Sequence, residues 1–517
     1  MDNSAAEMHT TIYAVSESRF DPDVVWVGTD DGNVQLTRDG GKSWSNLTRN
    51  VQGLPPGSWV SWIEASRHHA GTAYAAFDRH SFGDMSPWVY RTADYGKTWA
   101  RIVSPQQGVR GYAHVVREDA VRPQLLFLGT EVGLWISLDG GKQWAEFKGG
   151  GFPAVAVRDL ALQQRDGDLV MATHGRGLWV IDDLSPLRSL TPDLLSRDAA
   201  FLPGRHPQQR MPAQGGFSEG DASFTGENPA GGAVITYYQR TRHLFGPIRL
   251  EVIDAQGKVV DTVPATKRRG LNRVSWTMRM PAPRVPRAAQ LAFNASQGPR
   301  VPPGTYTVRL TKGAQVLETK LDIAVDRRAP YGVAERRANF DAGMRVHALF
   351  GDMSSLADRI DGARGAIEAR TGALPQGDEL GPRLRALSGR LQEVKKKIVA
   401  TKEGGAITGE ERIREHADLL YGAFTQWEGS PAKYQLDRIE VLRRELSEVE
   451  AEFETLSTTE VRSVDEQLRQ RNLAPIPTTQ ASLALPPDSN TATALLRCET
   501  GLTTCIPAVR SSAAELR

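Results

Sequence analysis

One short pattern recurs three times in the first third of this chain: Ser or Thr, any residue, Asp, any residue, Gly, two residues, Trp. The copies supply Thr37, Asp39, Gly41 and Trp44, then Thr92, Asp94, Gly96 and Trp99, then Ser137, Asp139, Gly141 and Trp144. Their starts lie 55 and 45 residues apart. A period of about 40 to 50 residues is that of one four-stranded β-propeller blade. The pattern has the chemistry of a turn. Aspartate accepts hydrogen bonds from backbone N–H groups just ahead of it, glycine supplies a positive φ, and tryptophan buries a large apolar face. These carboxylates recur once per repeat, so they read as structural and not catalytic.

The repeat extends upstream of each turn. The runs Val25–Asp30, Tyr74–Asp78, Phe127–Glu131 and Val170–His174 are apolar, β-prone and end on a polar residue. The fourth has no complete turn pattern after it: Asp183 remains, without the Gly and Trp. Four repeats therefore fill residues 11 to 190, the last degenerate, as terminal repeats often are. A further strand precedes each run and reads as the innermost of its blade, with Ser16, Glu64, Arg117 and Arg158 at equivalent channel-facing positions.

The chain reads as mainly β: a partial β-propeller, then a β-sandwich of the immunoglobulin type, then an α-helical hairpin. Residues 1–195 are assigned to about four blades and 196–232, rich in Gly, Pro and Gln, to a linker. Residues 233–328 alternate with period two and carry turns at regular intervals, which suggests the sandwich. In 329–472, Leu384, Leu387, Leu391, Val394 and Ile398 fall at helical spacing, as do Leu436, Ile439, Leu442, Leu446, Val449, Phe453 and Leu456. Lys395–Lys397 reads as solvated helix surface, and 473–517 as a disordered tail.

Other classes find little support. The net charge of +2 over 517 residues gives no global field for nucleic acid. No apolar run reaches the length of a membrane span. The polar start, residues 1–10, lacks the look of a secretion signal. The two cysteines, Cys498 and Cys505, allow no disulfide framework in the core, and their pairing stays open. No metal-ligand constellation stands out. His68 and His69 are adjacent and diverge, so they make a poor metal site. No cofactor is expected.

Together, the three turns, the segment Ala172–Asp183 and the block from Gly226 to Tyr237 resemble bacterial BNR-repeat (Asp-box) proteins. These are labelled glycosyl hydrolase or sortilin-like (VPS10-like). The sandwich motifs Gly270–Trp276 and Pro303–Leu310 fit the same group, and the likeness covers residues 10 to 472. It implies a longer, exported protein, periplasmic or secreted, with further N-terminal blades. Related xyloglucanase-type enzymes place an acid and a base in a cleft between two propellers. The resemblance thus implies that an N-terminal half or a partner chain completes this propeller.

Two functions follow. The first is a propeller module that binds a polysaccharide or a peptide or protein ligand. The second is a glycoside hydrolase of xyloglucanase or sialidase type, which needs two carboxyl groups about 5 to 10 Å apart. Glu64, Glu118, Asp119, Glu131 and Asp159 are the candidate carboxylates and His174 a candidate proton donor. Arg117, Arg158 and Arg176 are candidates to clamp an anionic ligand.

Overall fold

The computed structural model describes residues 10–211, 231–404 and 409–479. Cys498 and Cys505 lie outside the described residues, as do residues 226–230 of the block that begins at Gly226. The protein is mainly β, with several antiparallel sheets and a few helices.

Four sheets come first, each a meander in chain order. Sheet one holds β1 (Ile12–Glu17), β2 (Val25–Thr29), β3 (Val34–Thr37) and β4 (Ser45–Asn46). Sheet two holds β5 (Trp59–Ala65), β6 (Ala73–Arg79), β7 (Asp84–Thr92) and β8 (Ala100–Val103). Sheet three holds β9 (Ala113–Glu118), β10 (Leu126–Thr130), β11 (Gly133–Ser137) and β12 (Ala145–Glu146). Sheet four has three strands: β13 (Val157–Gln163), β14 (Asp168–Thr173) and β15 (Leu178–Ile181).

Consecutive sheets pack face on face. Trp26, Val34 and Leu36 of sheet one share a core with Ile63, Ala75, Phe77 and Tyr90 of sheet two. Tyr74, Ala76 and Val89 meet Val116, Leu128 and Trp135 across the next interface, and Phe127 and Leu134 meet Leu160 and Met171 across the third. The second strands of sheets two and three are therefore covered on both sides. That is why Ala73–Phe77 and Leu126–Thr130 read as unbroken runs of buried residues, where a one-sided strand would alternate. The innermost strands β1, β5, β9 and β13 are neighbours in that order, a propeller-like stacking.

The recurring turns form three near-identical hydrogen-bond sets. Thr37, Thr92 and Ser137 each donate their hydroxyl to the aspartate two residues on, at 2.9 Å. Each hydroxyl accepts from the glycine N–H at 2.9 Å. Each aspartate accepts the N–H of Ser43, Thr98 or Gln143, again at 2.9 Å. Each turn after the first is also tied to the preceding sheet. Asn50 Nδ2 donates to Gly96 O at 2.8 Å and Gln107 Nε2 to Gly141 O at 3.1 Å. Trp99 packs edge-on against Trp26, and Trp144 Nε1 donates to Ile102 O at 3.0 Å. The tryptophans thus occupy matching sites, except that Trp44 has no described sheet before it and stays exposed.

Eight further strands build two sheets around one core. A three-stranded sheet pairs β16 (Ala199–Leu202), β18 (Ala233–Gln239) and β21 (Gly270–Trp276). A five-stranded sheet runs in the order β17 (Gln208–Gln209), β23 (Gln315–Val325), β22 (Gly304–Lys312), β19 (Ile248–Ile253) and β20 (Val259–Val263). Tyr237, Trp276, Leu250, Val308 and Leu310 fill the space between them. The stretch 196–232, read as a linker, thus contributes β16 and β17. Strands of four and two residues are too short to carry a visible period.

The chain divides into two compact units. One comprises residues up to Ala282, Gln297–Met344 and Ala423–Pro431, and the other Pro283–Ser296, Arg345–Gly422 and the residues from Ala432 on. In the second unit, helix Leu380–Ile398 buries the stripe expected of it, and helix Lys433–Leu456 buries its stripe from Ile439 to Phe453, with Leu436 and Leu456 half-buried at its ends. The expected hairpin is too simple, because Val333–Ala373, Ile413–Thr425 and Arg462–Gln470 are helical as well. The first of these is 41 residues long and buries Val346, Phe350, Met353, Ile360 and Ile367 along one face. Lys395 and Lys397 pair with Asp361 and Glu452. Residues 473–479, read as the start of a disordered tail, pack on these helices: Ile476 is buried and its N–H donates to Asp465 at 2.8 Å. The remainder of that tail lies outside the described residues. Among the described residues, no helix is long and apolar enough to cross a membrane.

Candidate functional site

Every innermost strand carries a one-residue bulge at the same place. Pairing skips Tyr13 in β1, Ser61 in β5, His114 in β9 and Arg158 in β13. A bulge re-aims a side chain out of the ladder. Here it does so at one end of four successive sheets. Beside each bulge lies the residue ending the neighbouring run: Asp30, Asp78, Glu131 and His174. Backbone bonds fix three of these, from Asp30 N to Thr11 O, Glu131 N to Tyr112 O and His174 N to Ala156 O, at 2.9 to 3.1 Å. The repeat therefore builds a rim of four pairs.

The rim is continuous between sheets. Tyr13 packs edge-on against Trp59 with ring centroids 4.7 Å apart. Ser61 Oγ donates to Ala113 O at 3.0 Å. His80 is held through Nδ1 by Asp78 at 2.8 Å and stacks on Tyr112 at 4.7 Å. Tyr112 packs edge-on against His114, whose Nε2 lies 2.9 Å from Glu131 Oε2. Arg158 Nη2 reaches the same oxygen at 3.7 Å. Burial lowers the proton affinity of His114 and outweighs the pull of Glu131, so the ring is a neutral N–H donor at pH 7. Burial opposes ionisation of Glu131, but hydrogen bonds from His114 and Tyr112 prevail and hold its carboxyl below the usual range. Tyr112, desolvated and bonded to Glu131, is pushed up to about 12.

A second set lies further along the same strands. Arg117 Nη1 is 3.2 Å from Glu64 Oε2 and Nη2 is 3.8 Å from Asp159 Oδ1, so one guanidinium ties sheets two, three and four. It also donates from Nε to Leu160 O at 2.6 Å and lies 4.4 Å from the Trp62 ring centroid. Glu64 is buried, and desolvation raises its proton affinity despite Arg117 and Arg67. By register, Ser16, Glu64 and Arg117 do face matching partners, Trp26, Tyr74 and Phe127. The fourth equivalent is Ala161, opposite Val170, and not Arg158. The bulge at Arg158 displaces that residue to the rim.

Glu118 and Asp119 hold the scaffold. Glu118 accepts from Tyr74 Oη of sheet two at 3.0 Å, and from Ser66 Oγ and Arg67 N, each at 2.7 Å, in the loop after β5. Asp119 is fully buried and paired with Arg188 at 2.8 Å. His68 Nε2 lies 2.8 Å from Asp119 O, which draws it away from His69. His174 and Arg176 are exposed on the edge of sheet four. Among the described residues, no group of three or more metal-type side chains converges.

The structure thus brings Glu131 and Arg158 together on the rim, and Glu64, Arg117 and Asp159 together along the innermost strands. Glu118 is instead taken up by Tyr74, Ser66 and the Arg67 backbone. Tyr13, Trp59, Asp78, His80, Tyr112 and His114 were not singled out from sequence. Asp78 ends one of the four matching runs, but the bulges that aim Tyr13 and His114 are visible only in the strand pairing.

No family model matches the chain, and no curated protein matches it. Solved structures give partial likenesses to β-propeller proteins. YCF48 from Cyanidioschyzon merolae is 19% identical over 34% of this chain and 53% of its own, with a TM-score of 0.25. The GH74 xyloglucanase from Xanthomonas campestris is 16% identical over 33% and 29%, at 0.27. The GH74 enzyme from Niastella koreensis is 17% identical over 34% and 24%, at 0.25. The chain spans about half the length of the first of these and less of the others. At such scores no residue role is transferred from them.

Proposed function

We propose that this chain is a propeller-type ligand-binding module, its turns being Asp boxes, with an immunoglobulin-like accessory sandwich, in an exported BNR-repeat protein. Its ligand is a polysaccharide chain laid along the rim of Tyr13, Trp59, His80, Glu131 and Arg158. The observation that supports binding over hydrolysis is the state of the carboxylates. Glycoside hydrolysis needs an accessible acid of raised proton affinity facing a second carboxyl. Glu131 is lowered and held by His114, and Asp159 sits beside Arg117. Glu64 is raised, but it is buried beneath Arg117 and Arg67. The rim, by contrast, offers ring faces beside a fixed carboxylate and a guanidinium, the combination that packs on sugar rings and bonds vicinal hydroxyls.

The test is titration calorimetry with xyloglucan and other neutral oligosaccharides. Binding is expected to be lost in Tyr13→Ala and Arg158→Ala while circular dichroism stays unchanged. Binding of extended peptides alone, sensitive to the same variants, would transfer the site to a different ligand class. Release of reducing sugar that disappears in Glu64→Gln and Asp159→Ala would establish the hydrolase reading instead.

A further inference from the structure

The three interfaces between the first four sheets share one design. The leading face of a sheet carries Ile63, Val116 or Leu160 at matching register. It packs on the trailing face of the sheet before, which carries Val34, Val89 or Leu134 at matching register. None of these six side chains is more than 2% exposed.

One face of each kind has no sheet against it among the described residues. Val15 holds the position of Ile63, Val116 and Leu160 on the leading face of sheet one, and it is 62% exposed. Trp44 on the same sheet is 47% exposed, against 7% for Trp99 and 8% for Trp144. Leu178 holds the position of Val34, Val89 and Leu134 on the trailing face of sheet four, and it is 73% exposed. Val180 beside it is 51% exposed. Contiguous apolar surface of this kind marks an interaction site.

We propose that these two faces meet in a second copy of this chain. The leading face of sheet one in each copy packs on the trailing face of sheet four in the other, so that two chains close a ring of eight sheets. The occupant follows from the faces themselves. The three internal interfaces show that a leading face of this sequence accepts a trailing face of this sequence, and among the described residues each copy has one of each with no sheet against it. A head-to-tail contact closes into a ring when its rotation permits, and eight blades lies within the range of about four to eight found for propellers. The proposal does not depend on what the rim binds.

The test is light scattering coupled to size exclusion on the full chain. A species of twice the chain mass is expected across a wide dilution range. Trp44→Asp and Leu178→Asp are each expected to give monomers. Mixed in equal amounts, these two variants should re-form a two-chain species, because one retains an intact trailing face and the other an intact leading face. Val15→Asp with Val180→Asp provides a second such pair, and circular dichroism checks that every variant is folded. A monomeric wild-type chain would overturn the proposal, as would open-ended polymers or a folded mixed pair that stays apart.

Discussion

Arg117 Nη1 of sheet three lies 3.2 Å from Glu64 Oε2 of sheet two, and the same guanidinium covers the Trp62 ring. Removing one partner of a buried ion pair costs more than the pair contributes, because it strands the other charge. Arg117→Leu should therefore destabilise the fold by about 3 kcal/mol. Glu64→Gln, which keeps a hydrogen-bonding group of the same shape, should cost much less. Urea unfolding of both variants checks the order; equal losses would show that the charge on Glu64 is immaterial.

The pH dependence separates the two sites. Burial raises Glu64 above its usual 4.5, so the folded chain holds that proton more tightly than the unfolded chain. Its contribution is complete below 4.5 and is lost as pH rises through the folded value. Burial lowers His114 below 6.5, so here the unfolded chain binds the proton more tightly. That contribution is complete above 6.5 and is lost as pH falls toward the folded value. Glu64→Gln should remove the first slope and His114→Asn the second, as read from unfolding midpoints across pH 4 to 8, a range of about four units around both groups.

The tryptophans of the three recurring turns should differ sharply in cost. Trp99 and Trp144 are buried against the preceding sheet and Trp44 is not. Trp99→Ala and Trp144→Ala are each expected to lose about 3 to 5 kcal/mol. Trp44→Ala, measured in the monomeric Leu178→Asp background, should lose less than about 1 kcal/mol.

Two glycines with similar backbone angles should respond unequally. Gly96 has φ +77°, and a Cβ there would clash with Leu47 Cδ1 and lie 3.2 Å from the Trp26 ring. Gly140 has φ +75° with nothing within 4 Å. Gly140→Ala should cost only the left-handed strain of about 1 to 2 kcal/mol. Gly96→Ala should cost more, because it also pushes adjacent sheets apart. Thermal unfolding of the two variants decides the point.

What was legible in the sequence is what local chemistry repeats. A turn closed by its own Ser or Thr, Asp and Gly needs no distant partner, so three copies at near-even spacing announced the sheets before any contact was known. The two amphipathic helices were visible for the same reason, since their apolar stripe is written in consecutive residues. The sequence could not show which carboxylates are free. Glu64, Glu118, Glu131 and Asp159 looked alike as acids near the ends of strands. Only packing decided that Glu118 would be enclosed by Tyr74 and Ser66, that Arg117 would lie between Glu64 and Asp159, and that a single-residue bulge would turn Arg158 and His114 to the rim. Those outcomes depend on hydrogen-bond partners about 40 to 50 residues away in the chain, set by register between sheets, and no local pattern encodes them.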